Sequence, residues 1–129
     1  PDGSAAAVLD WDICTLGDPL ADVGLLVVYW GDPDGPMPDG SLGPTSAPGF
    51  PRKGELLDAY AAASGRDLSQ IDFYVAFGYW KLACIIEGVY ARYKGGAMGD
   101  RGDSSSFDFF GEQVVARADA ADELLGSMG

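Results

Sequence analysis

The sequence predicts a mainly α fold with one short β segment at its N-terminus. Three observations point there. Apolar residues recur at helical spacing through four stretches, with turn-forming residues clustered between them. The single strand-like run, Ala5 to Leu9, is too short to build a sheet by itself. The chain has 129 residues and 13.5 kDa, enough for one domain with a modest core.

The elements follow in order. Pro1-Asp2-Gly3-Ser4 is turn chemistry, and the Ala5–Leu9 run reads as one strand of a hairpin whose partner would lie upstream. Asp18 is a good N-cap and Pro19 suits the first helical position, so a helix is expected from Pro19 to about Trp30. Residues 31–51 hold five glycines and six prolines, which rules out regular structure and makes a long loop. A second helix spans about Arg52 to Ser64, with Leu56, Leu57, Tyr60 and Ala63 inward and Gly65 as its stop.

Ser69-Gln70-Ile71-Asp72 resembles a capping box and opens the longest helix, about Gln70 to Tyr93. It carries two apolar faces, one with Phe73, Phe77, Trp80, Cys84 and Ala91 and one with Tyr79, Leu82, Ile86, Val89 and Tyr93. Such a helix is expected to be central and packed on both sides, with Trp80 in the core. Lys94 to Ser106 reads as a mobile Gly/Ser-rich loop. A last helix runs from about Phe107 to Leu125, with Phe110, Val114, Ala118, Ala121 and Leu125 facing in.

Composition excludes several functions. The net charge of −12 and pI near 4.1 leave no electrostatic footprint for nucleic acid or anionic lipid. No apolar run is long enough to span a bilayer, and no secretory signal is visible. Histidine is absent, which removes Ser-His-Asp and Cys-His catalysis and His-ligated zinc. Cys14 and Cys84 are expected to be buried free thiols in a cytoplasmic protein. Arg101-Gly102-Asp103 would signal adhesion only in an extracellular setting, which nothing here implies. Asp32-Pro33-Asp34-Gly35 hints at a calcium loop, but Pro36 stands where the third ligand belongs.

Chemistry concentrates between Val8 and Asp22. Asp10, Asp12, Asp18 and Asp22 place four carboxylates in thirteen residues, which repel unless a cation or donors compensate. A carboxylate ending an apolar strand sits where ligands commonly bind, and aspartates are hard oxygen ligands suited to Mg²⁺ and its phosphates. Asp10 is therefore the first candidate metal ligand and Asp12 the second. Asp18 is expected to act as a cap and Asp22 as a buried structural acceptor.

Leu9-Asp10-Trp11-Asp12 followed by Gly17-Asp18-Pro19-Leu20-Ala21-Asp22 resembles the metal-binding end of the aminoglycoside phosphotransferase family, which has a protein-kinase-like fold. The resemblance implies that Asp10 holds Mg²⁺ against ATP phosphates, as the kinase DFG aspartate does. Asp12 stands where the family often has Glu. Gly17, Asp18, Pro19 and Asp22 match a structural motif that opens a helix. Phe77-Gly78-Tyr79-Trp80-Lys81-Leu82-Ala83 and Glu87-Gly88-Val89-Tyr90-Ala91-Arg92-Tyr93 are similar to the subgroup related to kinase-like domains fused to acyl-CoA dehydrogenases. That subgroup implies a hydroxylated acyl acceptor.

The departures define the expectation. The family's nucleotide-binding lobe and its His-Gly-Asp-x-x-x-x-Asn catalytic loop have no counterpart here. Residues 1–129 are thus expected to be one partial domain, the helical C-terminal lobe of a kinase-like phosphotransferase beginning just after the catalytic loop. The whole enzyme would use Mg²⁺ and ATP on a small-molecule hydroxyl; this chain alone would hold no catalytic residue and be inactive. Loop 31–51 and the long helix near Trp80 and Lys81 are candidates for the acceptor pocket, and a face left by the missing lobe would favour self-association. Two alternatives remain open: a non-catalytic helical interaction or regulatory domain, and a haloacid dehalogenase-like phosphatase with Asp10 as nucleophile and Asp12 as acid/base.

Overall fold

A computed structural model describes residues 5–12, 14–33, 35–97 and 107–129. The described residues form four α-helices, α1 (Pro19–Tyr29), α2 (Lys53–Ser64), α3 (Ile71–Lys94) and α4 (Asp108–Ser127), with one short 3₁₀ turn at Pro44–Ser46. The mainly α fold class holds, and the helix bounds lie within two residues of those expected.

Helix α3, about 36 Å long at 1.5 Å per residue, is the central element. It packs against α1 and against α4. The core between them contains Val27, Val28, Val75, Tyr79, Leu82 and Ala121, with Val28 only 1% exposed. The α1–α3 crossing is close because glycines meet there. A methyl group at Gly24 would sit 2.4 Å from the Tyr74 carbonyl oxygen, and one at Gly78 would sit 3.0 Å from Val28 Cγ2. Neither helix could approach so near with a larger residue at these positions.

Each helix start has its own cause. Asp18 Oδ1 accepts the Leu20 N–H at 2.9 Å, and its Oδ2 accepts the Tyr74 hydroxyl at 2.6 Å, so one side chain caps α1 and ties it to α3. At α2, Glu55 reaches back to the Arg52 N–H at 2.8 Å, and Gly65 ends the helix at a φ of 68°. The capping box expected at Ser69 does not form. Asp67 takes both the N–H and the hydroxyl of Ser69, and Gln70 stands at the N-cap without a side-chain bond. The α3–α4 joint is held by aromatic stacking of Tyr93 on Phe107, with centroids 4.4 Å apart, and by the Lys94–Asp108 ion pair.

Several expectations are corrected. No strand forms at Ala5–Leu9; Asp10 turns the chain through a φ of 63°, and Trp11 Nε1 donates to the Val8 carbonyl at 2.9 Å. Among the described residues no neighbouring strand pairs the N–H and C=O groups of this run, which is exposed along its length. Cys14 and Cys84 are both free and both exposed, not buried. The Phe73, Phe77, Trp80 and Cys84 face of α3 is open, with Trp80 56% exposed; α1 and α4 cover the other sides of the helix. Helix α2 buries no residue fully, and Ala63 is exposed. On α4, Ala118 and Leu125 face out, and Arg117 with Ala121 faces in. Asp22 is exposed in the first turn of α1. The Pro1–Ser4 turn, Arg101-Gly102-Asp103 and most of the 94–106 loop lie outside the described residues.

Residues 31–51 are irregular but tethered. Trp30 Nε1 donates to the Pro51 carbonyl at 2.8 Å, Thr45 Oγ1 accepts the Gly31 N–H at 2.7 Å, and Asp32 accepts the Lys53 N–H at 2.9 Å. With Asp32 Oδ1 bonded to backbone and Asp34 outside the described residues, the structure gives the calcium-loop hint no support.

Candidate functional site

Asp10 and Asp12 lie in the exposed segment before α1, where Val8, Leu9, Trp11 and Leu16 are each more than 60% exposed. The segment turns back on itself through the Cys14 N–H to Trp11 carbonyl bond, 3.1 Å long, which carries Asp12 in the turn. Neither aspartate has a hydrogen-bond partner among the described residues. Among those residues no group of three or more His, Cys, Asp or Glu side chains is placed to hold a metal ion.

That donor set is a test of the expected ion. Mg²⁺ takes one or two protein carboxylates and completes its octahedron from water and substrate phosphates. Two exposed carboxylates two residues apart are too few for a zinc site, which needs three or four protein ligands, and match in number what Mg²⁺ takes from protein when phosphates and water supply the rest. When bound, such an ion would neutralise phosphate charge. Asp10 and Asp12 are the residues that would hold it.

The Gly-Asp-Pro-x-x-Asp segment builds a different feature. Gly17 and Pro19 lead into α1, and Asp18 is engaged twice, by Leu20 and Tyr74. The Tyr74 hydroxyl, followed by the Leu20 N–H, holds the Asp18 carboxyl below its ordinary value. The same bond pushes the Tyr74 hydroxyl upward. This locks the start of α1 onto α3 and sets where the chain enters the helical body.

Two of the clefts along α4 involve the expected acceptor elements. One, of about 830 Å³, runs between the loop residues Pro36 and Pro38, Tyr79 of α3, and Glu112, Val115 and Asp119 of α4. The other, of about 330 Å³, is lined by Phe73, Phe77 and Trp80 of α3 with Ala118, Ala121 and Leu125 of α4. Asp10 and Asp12 line neither. The expected acceptor elements are therefore split: loop 31–51 borders the larger cleft, and Trp80 borders the smaller one.

A buried ion pair escaped the reading of the sequence. Arg117 Nη2 donates to Asp39 Oδ2 at 2.9 Å, and both side chains are 8% exposed. Burial pushes the Asp39 carboxyl up, but donors from Ser41, Arg117 and Gln113 outweigh it and hold the group well below the carboxylate range. Burial raises the neighbouring Tyr79 hydroxyl, with Arg117 pulling it down and Asp39 pushing it up. A signal was present: Arg117 lies three residues after Val114 and four before Ala121, in the inward register of the helix.

Comparison with known proteins places the chain. Residues 2–74 match the sequence profile of a phosphotransferase enzyme family, APH, and this region contains the whole Asp10–Asp22 motif. The chain is 35% identical over 107 residues to Acyl-CoA dehydrogenase family member 11 of Homo sapiens, covering 80% of this chain and 13% of that protein. It is 36% identical over 104 residues to the Rattus norvegicus protein of the same name, covering 78% of this chain and 13% of that one. It is 35% identical over 89 residues to Acyl-CoA dehydrogenase family member 10 of Mus musculus, covering 67% and 8%. The chain thus spans a small part of the length of the curated relatives it matches. No solved structure matches. With more than half of its residues matched to the profile, this chain belongs to the APH phosphotransferase enzyme family.

Proposed function

We propose that this chain is the helical C-terminal part of an enzyme that transfers a phosphoryl group from ATP to a hydroxyl of a small molecule, with Mg²⁺ as cofactor. The observation that carries this reading is the family match over residues 2–74, which contains the acidic motif. In it, Asp10 holds Mg²⁺ against the ATP phosphates and Asp12 assists, from a turn on which both carboxylates are uncommitted. The relatives are named as acyl-CoA dehydrogenases, which favours a hydroxyacyl acceptor over an aminoglycoside. In this reading the catalytic base and the nucleotide-binding lobe are supplied by other parts of that enzyme, and the chain alone does not turn over ATP. The enzyme works in the cytoplasm.

The test uses the longer parent protein. Its reading frame should carry a His-Gly-Asp-x-x-x-x-Asn motif within about 20 residues before Pro1, preceded by a nucleotide-binding lobe. Asp10→Ala there should abolish Mg²⁺-dependent ATP turnover with the helical CD signal unchanged; turnover that survives removes the metal assignment.

One observation favours an additional interaction role. Phe73, Phe77 and Trp80 form an open aromatic stripe, with Phe77 and Trp80 stacked at 5.9 Å. We propose that the isolated chain self-associates through it. Sedimentation velocity should show a dimer or larger species that Trp80→Glu returns to monomer.

A further inference from the structure

We infer that the loop segment Pro36–Ser41 is a movable strap along the larger cleft, and that the buried Asp39–Arg117 pair is its clasp.

The base of the strap is fixed. Gly31 and Gly43 lie backbone to backbone, so closely that a methyl group on Gly31 would sit 2.7 Å from the Gly43 nitrogen. Thr45 Oγ1 accepts the Gly31 N–H at 2.7 Å and donates to the Gly31 carbonyl at 3.2 Å, which closes the neck. The tip is different. Its backbone bonds, Met37 N–H to Ser41 and Gly40 N–H to Met37, run within the segment, as does the bond from the Ser41 N–H to Asp39. The polar ties from the tip to another element run through Asp39, to Arg117 and Gln113 of α4. Pro36 and Pro38, on the near side of Asp39, form one wall of the 830 Å³ cleft.

The clasp leaves part of its hydrogen-bonding capacity unused. Arg117 Nη1 bonds only the Gln113 carbonyl, at 3.2 Å, and Arg117 Nε is buried with no partner. A buried ion pair that leaves a donor unsatisfied recovers only part of its desolvation cost. Release of the strap would hydrate Asp39, Arg117 and that donor together. A rigid structural strut of this size is better made from apolar side chains. An ion pair at the tip of a closed loop instead provides a contact that can be broken while the α1–α3–α4 core stays intact.

The experiment uses the full 129-residue chain with Cys14→Ser, Cys84→Ser and Ala116→Cys, which places one thiol on the cleft wall. Alkylation by iodoacetamide reads cleft access, and amide exchange reads where the chain opens. Asp39→Asn should raise the alkylation rate at position 116 at least tenfold. It should raise exchange at Met37 and Gly40 by a similar factor and leave Leu82 and Ala83 of α3 unchanged. Unchanged alkylation would show that the pair does not hold the strap. Equal acceleration in α3 would show a core strut and overturn the proposal. Should Asp39→Asn fail to fold, the double variant Asp39→Leu/Arg117→Met removes both charges. It should fold with α3 protected and with Met37 and Gly40 exchanging at least threefold faster; strap exchange equal to the parent's would overturn the clasp.

Discussion

The two faces of α3 are both apolar and differ in fate. One carries Val75, Tyr79 and Leu82 and is buried under α1 and α4, with Leu82 4% exposed. The other carries Phe73, Phe77, Trp80 and Cys84 and stands open, with exposures of 49%, 40% and 56% for its aromatics. Apolar periodicity shows which positions seek cover. It does not show what covers them. The buried face is decided by fit: Gly24 and Gly78 let α1 approach, and Ala121 lets α4 approach. The open face has larger side chains and meets nothing among the described residues except the edge of α4 along a 330 Å³ cleft.

Substitutions on the two faces should separate them. The largest effect is expected at Leu82→Ala, which removes a fully packed side chain and should cost about 3–4 kcal/mol in urea unfolding. Trp80→Gln on the open face should cost less than about 1 kcal/mol although more atoms are lost. Comparable losses at the two sites would mean that both faces are covered in solution.

Gly24→Val comes next. Its Cβ would collide with the Tyr74 backbone, and the helices must part, at about 2–3 kcal/mol in the same assay. Gly126→Val, where nothing lies within 4 Å, supplies the control and should be nearly neutral by comparison.

The acid limb of stability sharpens the comparison for polar contacts. The folded Asp39 carboxyl lies below its unfolded value near 3.9, so its contribution is fully present above about pH 4. That contribution declines as pH falls from there toward the folded pKa. The stability difference between the parent chain and Asp39→Asn should therefore be constant from pH 7 to 5 and shrink below pH 4. A difference that grows on acidification would reverse the sign and remove the assignment. The smallest effect is expected at Tyr74→Phe, which frees one oxygen of Asp18 but leaves the Leu20 cap in place. Its melting temperature should fall by a few degrees at most, and Asp18→Ala, which loses both bonds, should fall further.

Much of the helical body is legible in the sequence. Asp18-Pro19 announced the start of α1, Gly65 the end of α2, and the spacing of apolar residues the length of α3. These are local signals, set by capping geometry, by a left-handed backbone at glycine and by the 3.6-residue period. The acidic motif was legible as a family resemblance, and the profile match over residues 2–74 agrees with it. The Ala5–Leu9 run reads as a strand because its apolar pattern is local, whereas strand pairing is not; no partner strand stands beside it among the described residues, and the chain turns at Asp10. The Asp39–Arg117 pair was missed for a related reason. The two residues are 78 positions apart, and an arginine in an inward register looks like an interruption until its partner arrives from a loop.

What the sequence determined by itself is the set of helices, the acidity of the chain and the family motif between Asp10 and Asp22. Backbone propensity, side-chain charge and ligand hardness are properties of residues and their near neighbours. Only the tertiary structure decided which face of α3 is covered, that Asp18 ties α1 to α3, and that loop 31–51 is tethered. Those outcomes depend on which distant groups the packing brings within hydrogen-bond or van der Waals reach, and packing is a property of the whole chain.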